Sequence, residues 1–211
     1  WMEMLTCAWQ NDIDRIIATP HAEPGMEPFP MEQLTRRIQK AQSWCDEQRM
    51  QMEILPGCEI FYTPQTVCML REGLIPTLAG SSYVLVEFLP GAPYSELIGA
   101  AKTLTAVGYQ PIFAHIERYR CLRWPGRVQL LRERYGVSMQ MNVDTICRRH
   151  SFFSQRWINS MLRKGYIDVA ATDAHNVTSR PCRMRDGYQA LQKRFGQEMA
   201  DRLCIEFPGQ I

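Results

Sequence analysis

Six short apolar runs recur along this chain, separated by longer amphipathic segments, and five of the six end in a residue able to bind a metal ion. The clearest is Gln110–Tyr119 (QPIFAHIERY), where Ile112, Phe113 and Ala114 stop abruptly at His115, Glu117, Arg118 and Tyr119. A buried strand looks like this when it delivers polar groups to its carboxyl end, where parallel α/β sheets and barrels keep their active sites. A single histidine there is ordinarily a core residue with satisfied ring nitrogens. Five such endings in one chain are a different observation.

The alternation of periods sets the fold class. Met2, Leu5, Ala8 and Trp9 have helical spacing, and Asp14–Thr19 (DRIIAT) reads as a strand closed by Pro20 and followed by His21. Met31–Arg49 is a long amphipathic helix with Leu34, Ile38, Ala41 and Trp44 on one face. Met52–Tyr62 is a second strand region, Pro64–Arg71 a short helix, and Tyr83–Phe88 (YVLVEF) a third strand with Glu87 near its end. Helices follow over Tyr94–Val107, Arg127–Tyr135 and Phe152–Lys164, each stopped by the glycine that follows it. Between them lie the strand with His115, a fifth over Met139–Val143 (MQMNV) and a sixth over Tyr166–Ala171, which ends in Thr172-Asp173-Ala174-His175-Asn176. Helices over Met184–Phe195 and Gln197–Cys204 close the chain. Short strands alternating with longer helices make a parallel sheet, and six such units without a switch of pattern favour a barrel in one domain over residues 1–211.

Composition excludes several classes. With 45% hydrophobic and 22% charged residues the chain is an ordinary globular protein, and a net charge of +2 makes no case for nucleic acid or an anionic membrane. No run approaches the roughly 18 apolar residues of a membrane helix. Eight cysteines with no C-x-x-C pair argue against a zinc ribbon and for scattered reduced thiols in a cytoplasmic protein.

His21, Glu59, Glu87, His115, Asp173 and His175 all fall at or just past the carboxyl ends of expected strands. In a closed barrel those ends share one rim, so six N/O ligands share one pocket. Mixed imidazole and carboxylate suits Mn²⁺, Fe or Zn²⁺, and six ligands are too many for one open catalytic ion. Two or three ions are expected, a cluster that activates water and clamps phosphoryl oxygens.

These residues resemble a family. GCEIFYTP (57–64), VEF (86–88), AHIERY (114–119), QMNV (140–143) and TDAHN-x₃-RP (172–181) are similar to the PHP (polymerase and histidinol phosphatase) superfamily, in its bacterial capsular-polysaccharide tyrosine phosphatase branch of CpsB/YwqE type. The resemblance runs from Ile16 to the end of the chain. It implies a distorted (β/α) PHP-type barrel, three metal ions, usually manganese, and hydrolysis of phosphotyrosine on a tyrosine autokinase of capsule or exopolysaccharide assembly. It also implies that the six residues above are metal ligands, with His115 and Asp173 part of the catalytic set. Arg118 is then the phosphate-binding arginine, a role its planar fork suits. Arg180, in the arginine–proline turn, either binds substrate or braces the loop. The same resemblance admits a small phosphoester such as histidinol phosphate as the substrate.

One departure bears on the chain as written. The family opens with a strand carrying His-x-His, which has no counterpart before Trp1, and Trp1–Gln10 reads as mid-helix without an N-cap. The expectation is a fragment lacking the first strand, or a remnant that has lost one metal site. Such a chain is expected to be aggregation-prone along an open barrel seam and weakly active.

Two further motifs are set aside. Cys121–Arg127 (CLRWPGR) matches the C-x₅-R signature of cysteine-dependent tyrosine phosphatases, but with 8 Cys and 20 Arg in 211 residues chance supplies about 0.8 such matches. Leu122, Arg123 and Trp124 are too bulky for a loop whose N–H groups must cradle phosphate. His150, in RRHSFF, falls outside the ligand set and reads as a solvated loop residue, with Arg148 and Arg149 beside it as a possible contact for an acidic phosphopeptide.

Overall fold

The computed structural model describes residues 1–211. In chain order the elements are α1 (Met2–Gln10), β1 (Arg15–Ala18), β2 (His21–Ala22), α2 (Met31–Glu47), β3 (Glu53–Pro56), β4 (Glu59–Phe61), α3 (Thr66–Arg71), β5 (Tyr83–Glu87), α4 (Tyr94–Ala106), β6 (Gln110–Phe113), α5 (Arg127–Tyr135), β7 (Ser138–Asn142), α6 (Val143–Cys147), α7 (Phe152–Arg163), β8 (Val169–Ala171), α8 (Met184–Phe195) and α9 (Gln197–Asp201). No helix is long and apolar enough to cross a membrane.

All strand pairs are parallel. The six-stranded sheet runs β2-β4-β5-β6-β7-β8, and β1 pairs with β3 beside it. The two ladders share one register: Arg15 lies opposite Glu53 and His21 opposite Glu59, and the Glu59 N–H donates to the Pro20 carbonyl at 3.0 Å. The strand expected over Met52–Tyr62 is therefore one strand interrupted, as is its neighbour. Pro20 has no N–H to give to the ladder. At Gly57 a Cβ would stand 2.7 Å from Ile17 and 3.0 Å from Leu78, so only glycine admits this approach.

The sheet curls into a half-barrel rather than closing, and its two faces do different work. Ile60, Val84, Val86, Phe113, Met139 and Met141 face outward and are buried under Leu97, Ala101, Leu104, Leu131, Ile158 and Leu162 of the covering helices. Each side chain so buried contributes roughly 1.5–3 kcal/mol. The concave face changes character along the strands. Toward the amino ends Ile17, Leu85, Ile112 and Val169 form a small apolar plug with Leu78, Phe207 and Ile211. Toward the carboxyl ends the same face carries Glu59, Glu87, Gln140 and Asn142. The pairing Leu85–Ile112 and Ile112–Ser138 fixes this alternation, because the side-chain period of a strand is two.

The last expected helix, Gln197–Cys204, is α-helical only to Asp201 and widens to a π-helix over Arg202–Glu206, and two strand boundaries next to the site differ for local reasons. The sixth strand starts at Val169, not Tyr166. Gly165 (φ 66°) and the Tyr166 N–H bond to the Met161 carbonyl finish α7, and the Asp168 carboxylate accepts the Met139 N–H at 2.8 Å. Val143 opens helix α6 instead of ending β7. There α8 comes so near that a Cβ on Gly187 would stand 2.5 Å from Val143.

Candidate metal centre

Four of the six expected ligands converge. His21 Nδ1 lies 3.0 Å from Glu87 Oε1 and 3.5 Å from Glu59 Oε2, and His115 Nε2 lies 2.9 Å from Glu59 Oε1 and 3.3 Å from Glu87 Oε2. His21, Glu59 and Glu87 offer ligand atoms all within 4.8 Å of one another, with His115 on the far side of the two carboxylates. They come from three neighbouring strands and the turn after β6. The stagger of a curled, tilted sheet brings residues of different register to one height.

His115 reaches the centre through its backbone. Strand alternation continued from outward-facing Phe113 would turn residue 115 outward too. The chain instead adopts a left-handed conformation there (φ 33°, ψ 55°), unusual for a non-glycine residue and a local cost the surroundings must sustain. They do so on both sides: the His115 N–H donates to the Gln140 side-chain oxygen, and Nδ1 lies 3.5 Å from the Tyr119 hydroxyl. Tyr119 is itself fully buried and accepts the Phe88 N–H at 3.2 Å.

The chemistry of the donor set fits a cation. His115 Nε2 is buried and, despite its two near carboxylates, makes no aligned hydrogen bond. Two carboxylates aimed at one another's neighbourhood with only imidazoles between them are what a divalent ion neutralises. Burial disfavours a charged His115, but Glu59 and Glu87 outweigh it and raise its pKa to about 9. Burial likewise pushes Glu87 up, and His115 and His21 together hold it below its ordinary value.

Asp173 and His175 form a second group. Asp173 Oδ2 accepts from Arg118 at 2.8 Å, from the Asn142 amide at 2.9 Å and from Arg180. Its Oδ1 faces His175 Nδ1 at 3.6 Å, and that nitrogen lies 3.0 Å from the Asp173 carbonyl. With Nδ1–H donated there, the His175 Nε2 lone pair is free for a ligand. The His175 and His21 rings are 6.2 Å apart, so the loop after β8 comes back to β2 at the site. Asp173, like His115, has a left-handed backbone (φ 49°).

Sequence reasoning missed the residues that join these groups. Gln140 Nε2 donates to Asn142 Oδ1 at 2.8 Å, so β7 links the His115 backbone to the Asp173 carboxylate. Glu117 accepts the Asn142 N–H at 3.2 Å and the Thr145 hydroxyl at 2.9 Å, while its Oε2 is buried without a partner, and burial raises its pKa. The available signal was two polar residues at alternate positions in an otherwise apolar run, Gln140 and Asn142. The C-x₅-R motif makes no phosphate cradle: Arg127 donates to the Cys121 carbonyl at 2.9 Å and stacks on Tyr94, and burial pushes the Cys121 thiol up, away from a reactive thiolate. His150 is tied down rather than solvated, with Nε2 2.8 Å from the Thr145 carbonyl.

A family model for capsular polysaccharide synthesis, CpsB/CapC, matches residues 1–211. The chain belongs to the CpsB/CapC family. It is 26% identical to the tyrosine-protein phosphatase CpsB of Streptococcus pneumoniae, over 99% of this chain and 88% of that protein. To the tyrosine-protein phosphatase YwqE of Bacillus subtilis it is 29% identical, over 94% of this chain and 78% of that protein. The fold superposes with a TM-score of 0.83 at 25% identity, over 94% of this chain and 81% of the other, on a structure from a study of YwqE and CpsB as unique metal-dependent tyrosine phosphatases. The parallel half-barrel and the PHP-type resemblance agree with that match.

Proposed function

We infer that this chain is a metal-dependent protein-tyrosine phosphatase of capsular polysaccharide synthesis, acting as one domain in the cytoplasm on a phosphorylated tyrosine autokinase. The observation that carries the reading is the carboxylate–imidazole cluster at the mouth of the half-barrel, with the buried Nε2 of His115 set between Glu59 and Glu87 without an aligned hydrogen bond to either. Membership of a family whose named relatives are tyrosine phosphatases supports the substrate class.

His21, Glu59, Glu87 and His115 would hold divalent ions, manganese by preference, with His175 and the free Oδ1 of Asp173 completing the set. Such ions, when bound, polarise phosphoryl oxygens and lower the pKa of a water. The remaining work falls to the chain's own side chains. Arg118, two-fifths exposed at the rim, presents the rest of its guanidinium to a phosphoryl group while Asp173 fixes its direction. Arg180 shares that carboxylate and braces the loop. Asn142 and Gln140 hold Asp173 and the His115 backbone in one frame, so the metal ligands and the phosphate-binding arginine keep their separation.

The test is metal dependence without thiol dependence. A chelator should abolish hydrolysis of a phosphotyrosine peptide and Mn²⁺ should restore it, with Cys121→Ser nearly as active as the parent. Loss of activity in folded Cys121→Ser would overturn the assignment. Faster turnover of histidinol phosphate than of the peptide in the same assay would move the substrate to small phosphoesters.

A further inference from the structure

Between Asp144 and Asp168 the chain carries Arg148, Arg149, Arg156, Arg163 and Lys164 and no carboxylate. The two flanking acids are engaged elsewhere: Asp144 pairs with Arg148 at 2.8 Å and Arg183 at 3.6 Å, and Asp168 pairs with Arg132. Exposed Arg149 and Arg156 are therefore cations with no local acid to neutralise them. Between them Phe152 and Phe153 stand in solvent, 73% and 82% exposed, their rings edge to face with centroids 5.7 Å apart. Adjacent phenylalanines left in water keep apolar area that folding ordinarily removes, a mark of a surface completed by something else.

This patch is tied to the candidate site. It starts at the same rim, since His150 is held by the Thr145 carbonyl and the Thr145 hydroxyl donates to Glu117, the residue before Arg118. Arg123 stacks on Trp157 of α7 at 4.2 Å, and the Trp157 indole N–H donates to the Leu122 carbonyl at 3.2 Å. Those two contacts fasten the loop after β6, with Arg118 at its start and Trp124 exposed near its end, to the first turns of α7.

We propose that Arg149, Phe152, Phe153 and Arg156 dock the polypeptide flanking the phosphotyrosine and select acidic flanks that carry an apolar residue. The proposal rests on the phosphatase reading and adds the chemistry of the substrate's neighbours. Unpaired arginines favour carboxylates through bidentate contacts, and exposed aromatics supply the apolar anchor. The patch is fastened to the loop that carries Arg118, which favours a peptide reaching the site over a lipid surface as the occupant.

Fluorescence anisotropy reads binding without turnover when the peptide carries a non-hydrolysable difluorophosphonate in place of phosphotyrosine. Peptides with Glu/Asp flanks and with Gln/Asn flanks are compared in Mn²⁺, and p-nitrophenyl phosphate reads the chemistry without any flank. The acidic peptide is expected to bind about tenfold tighter at low salt, with the difference shrinking as salt rises. Arg149→Glu/Arg156→Glu should erase that preference, and Phe152→Ser/Phe153→Ser should weaken both peptides about fivefold. All four residues are exposed, so both variants should fold and keep p-nitrophenyl phosphate turnover within about twofold. Equal affinity for the two peptides, or a preference that survives charge reversal, overturns the proposal. So does co-sedimentation with phosphatidylglycerol vesicles in the absence of a flank preference. Failure of a form that also carries the family's His-x-His strand to hydrolyse p-nitrophenyl phosphate, with flank-dependent binding intact, sinks the phosphatase reading and upholds the docking surface.

Discussion

The two halves of the candidate site have opposite electrostatic needs. Around Glu59 and Glu87, two carboxylates and two imidazoles converge, so acceptors outnumber donors and the group suits a cation. Around Asp173, two guanidiniums and an amide converge on a single carboxylate oxygen, so donors are in excess and the group suits an anion. The His21–His175 contact, 6.2 Å between ring centroids, joins the halves. Six residues of one predicted class therefore need not share one role. Asp173, expected as a ligand like the others, has one oxygen engaged by Arg118, Arg180 and Asn142, and only the other faces His175.

That contrast can be broken by substitutions that separate metal from phosphate. Glu59→Gln removes a charge from the cation half, and kcat/KM should fall by roughly 10³-fold, about 4 kcal/mol, with metal content falling in parallel by elemental analysis. Normal metal content in that variant would move Glu59 out of the centre. Arg118→Ala should cost about 10²-fold in kcat/KM, about 3 kcal/mol, at unchanged metal content. Metal lost along with activity would make Arg118 a brace for Asp173 instead.

Finer comparisons sharpen the picture. Arg180→Ala leaves Asp173 with Arg118 and Asn142, and a tenfold loss, about 1.4 kcal/mol, is expected from a bracing role. A loss as large as that of Arg118→Ala would put Arg180 on the substrate. The smallest effect belongs to Tyr119→Phe, which deletes the acceptor of the buried Phe88 N–H and the hydroxyl near His115. Denaturant unfolding should show a destabilisation of about 1 kcal/mol. No change in stability would mean that Phe88 finds another acceptor.

Much of the architecture was legible because it is written in periodicity. Arg127–Tyr135 and Met184–Phe195 form helices with the expected bounds, and the strand ends that carry His21, Glu59, Glu87 and His115 do converge. Strand alternation and parallel topology are short-range rules, and together they send such residues to one rim. The apolar plug was not legible: Ile17, Leu85 and Phe207 are far apart in sequence, and nothing local says which face of a run lies inside a curl. The role of β7 was hidden for a related reason. Gln140 and Asn142 look like two polar interruptions until the sheet places them between His115 and Asp173.

Sequence alone supplies the inventory: six strand units, the residue types at their ends, and a family match over residues 1–211. How that inventory divides follows from the fold in three dimensions. Whether a carboxylate serves a cation or holds arginines depends on which donors lie within about 3 Å, the range over which hydrogen bonds act. Two of the three donors to Asp173 are 31 and 55 residues away: Asn142 at the end of β7 and Arg118 in the turn after β6 reach it across the sheet, and a left-handed turn at His115 reverses the face that alternation assigns it. Sequence spacing sets where along a strand a side chain falls; the curl of the sheet sets what it meets.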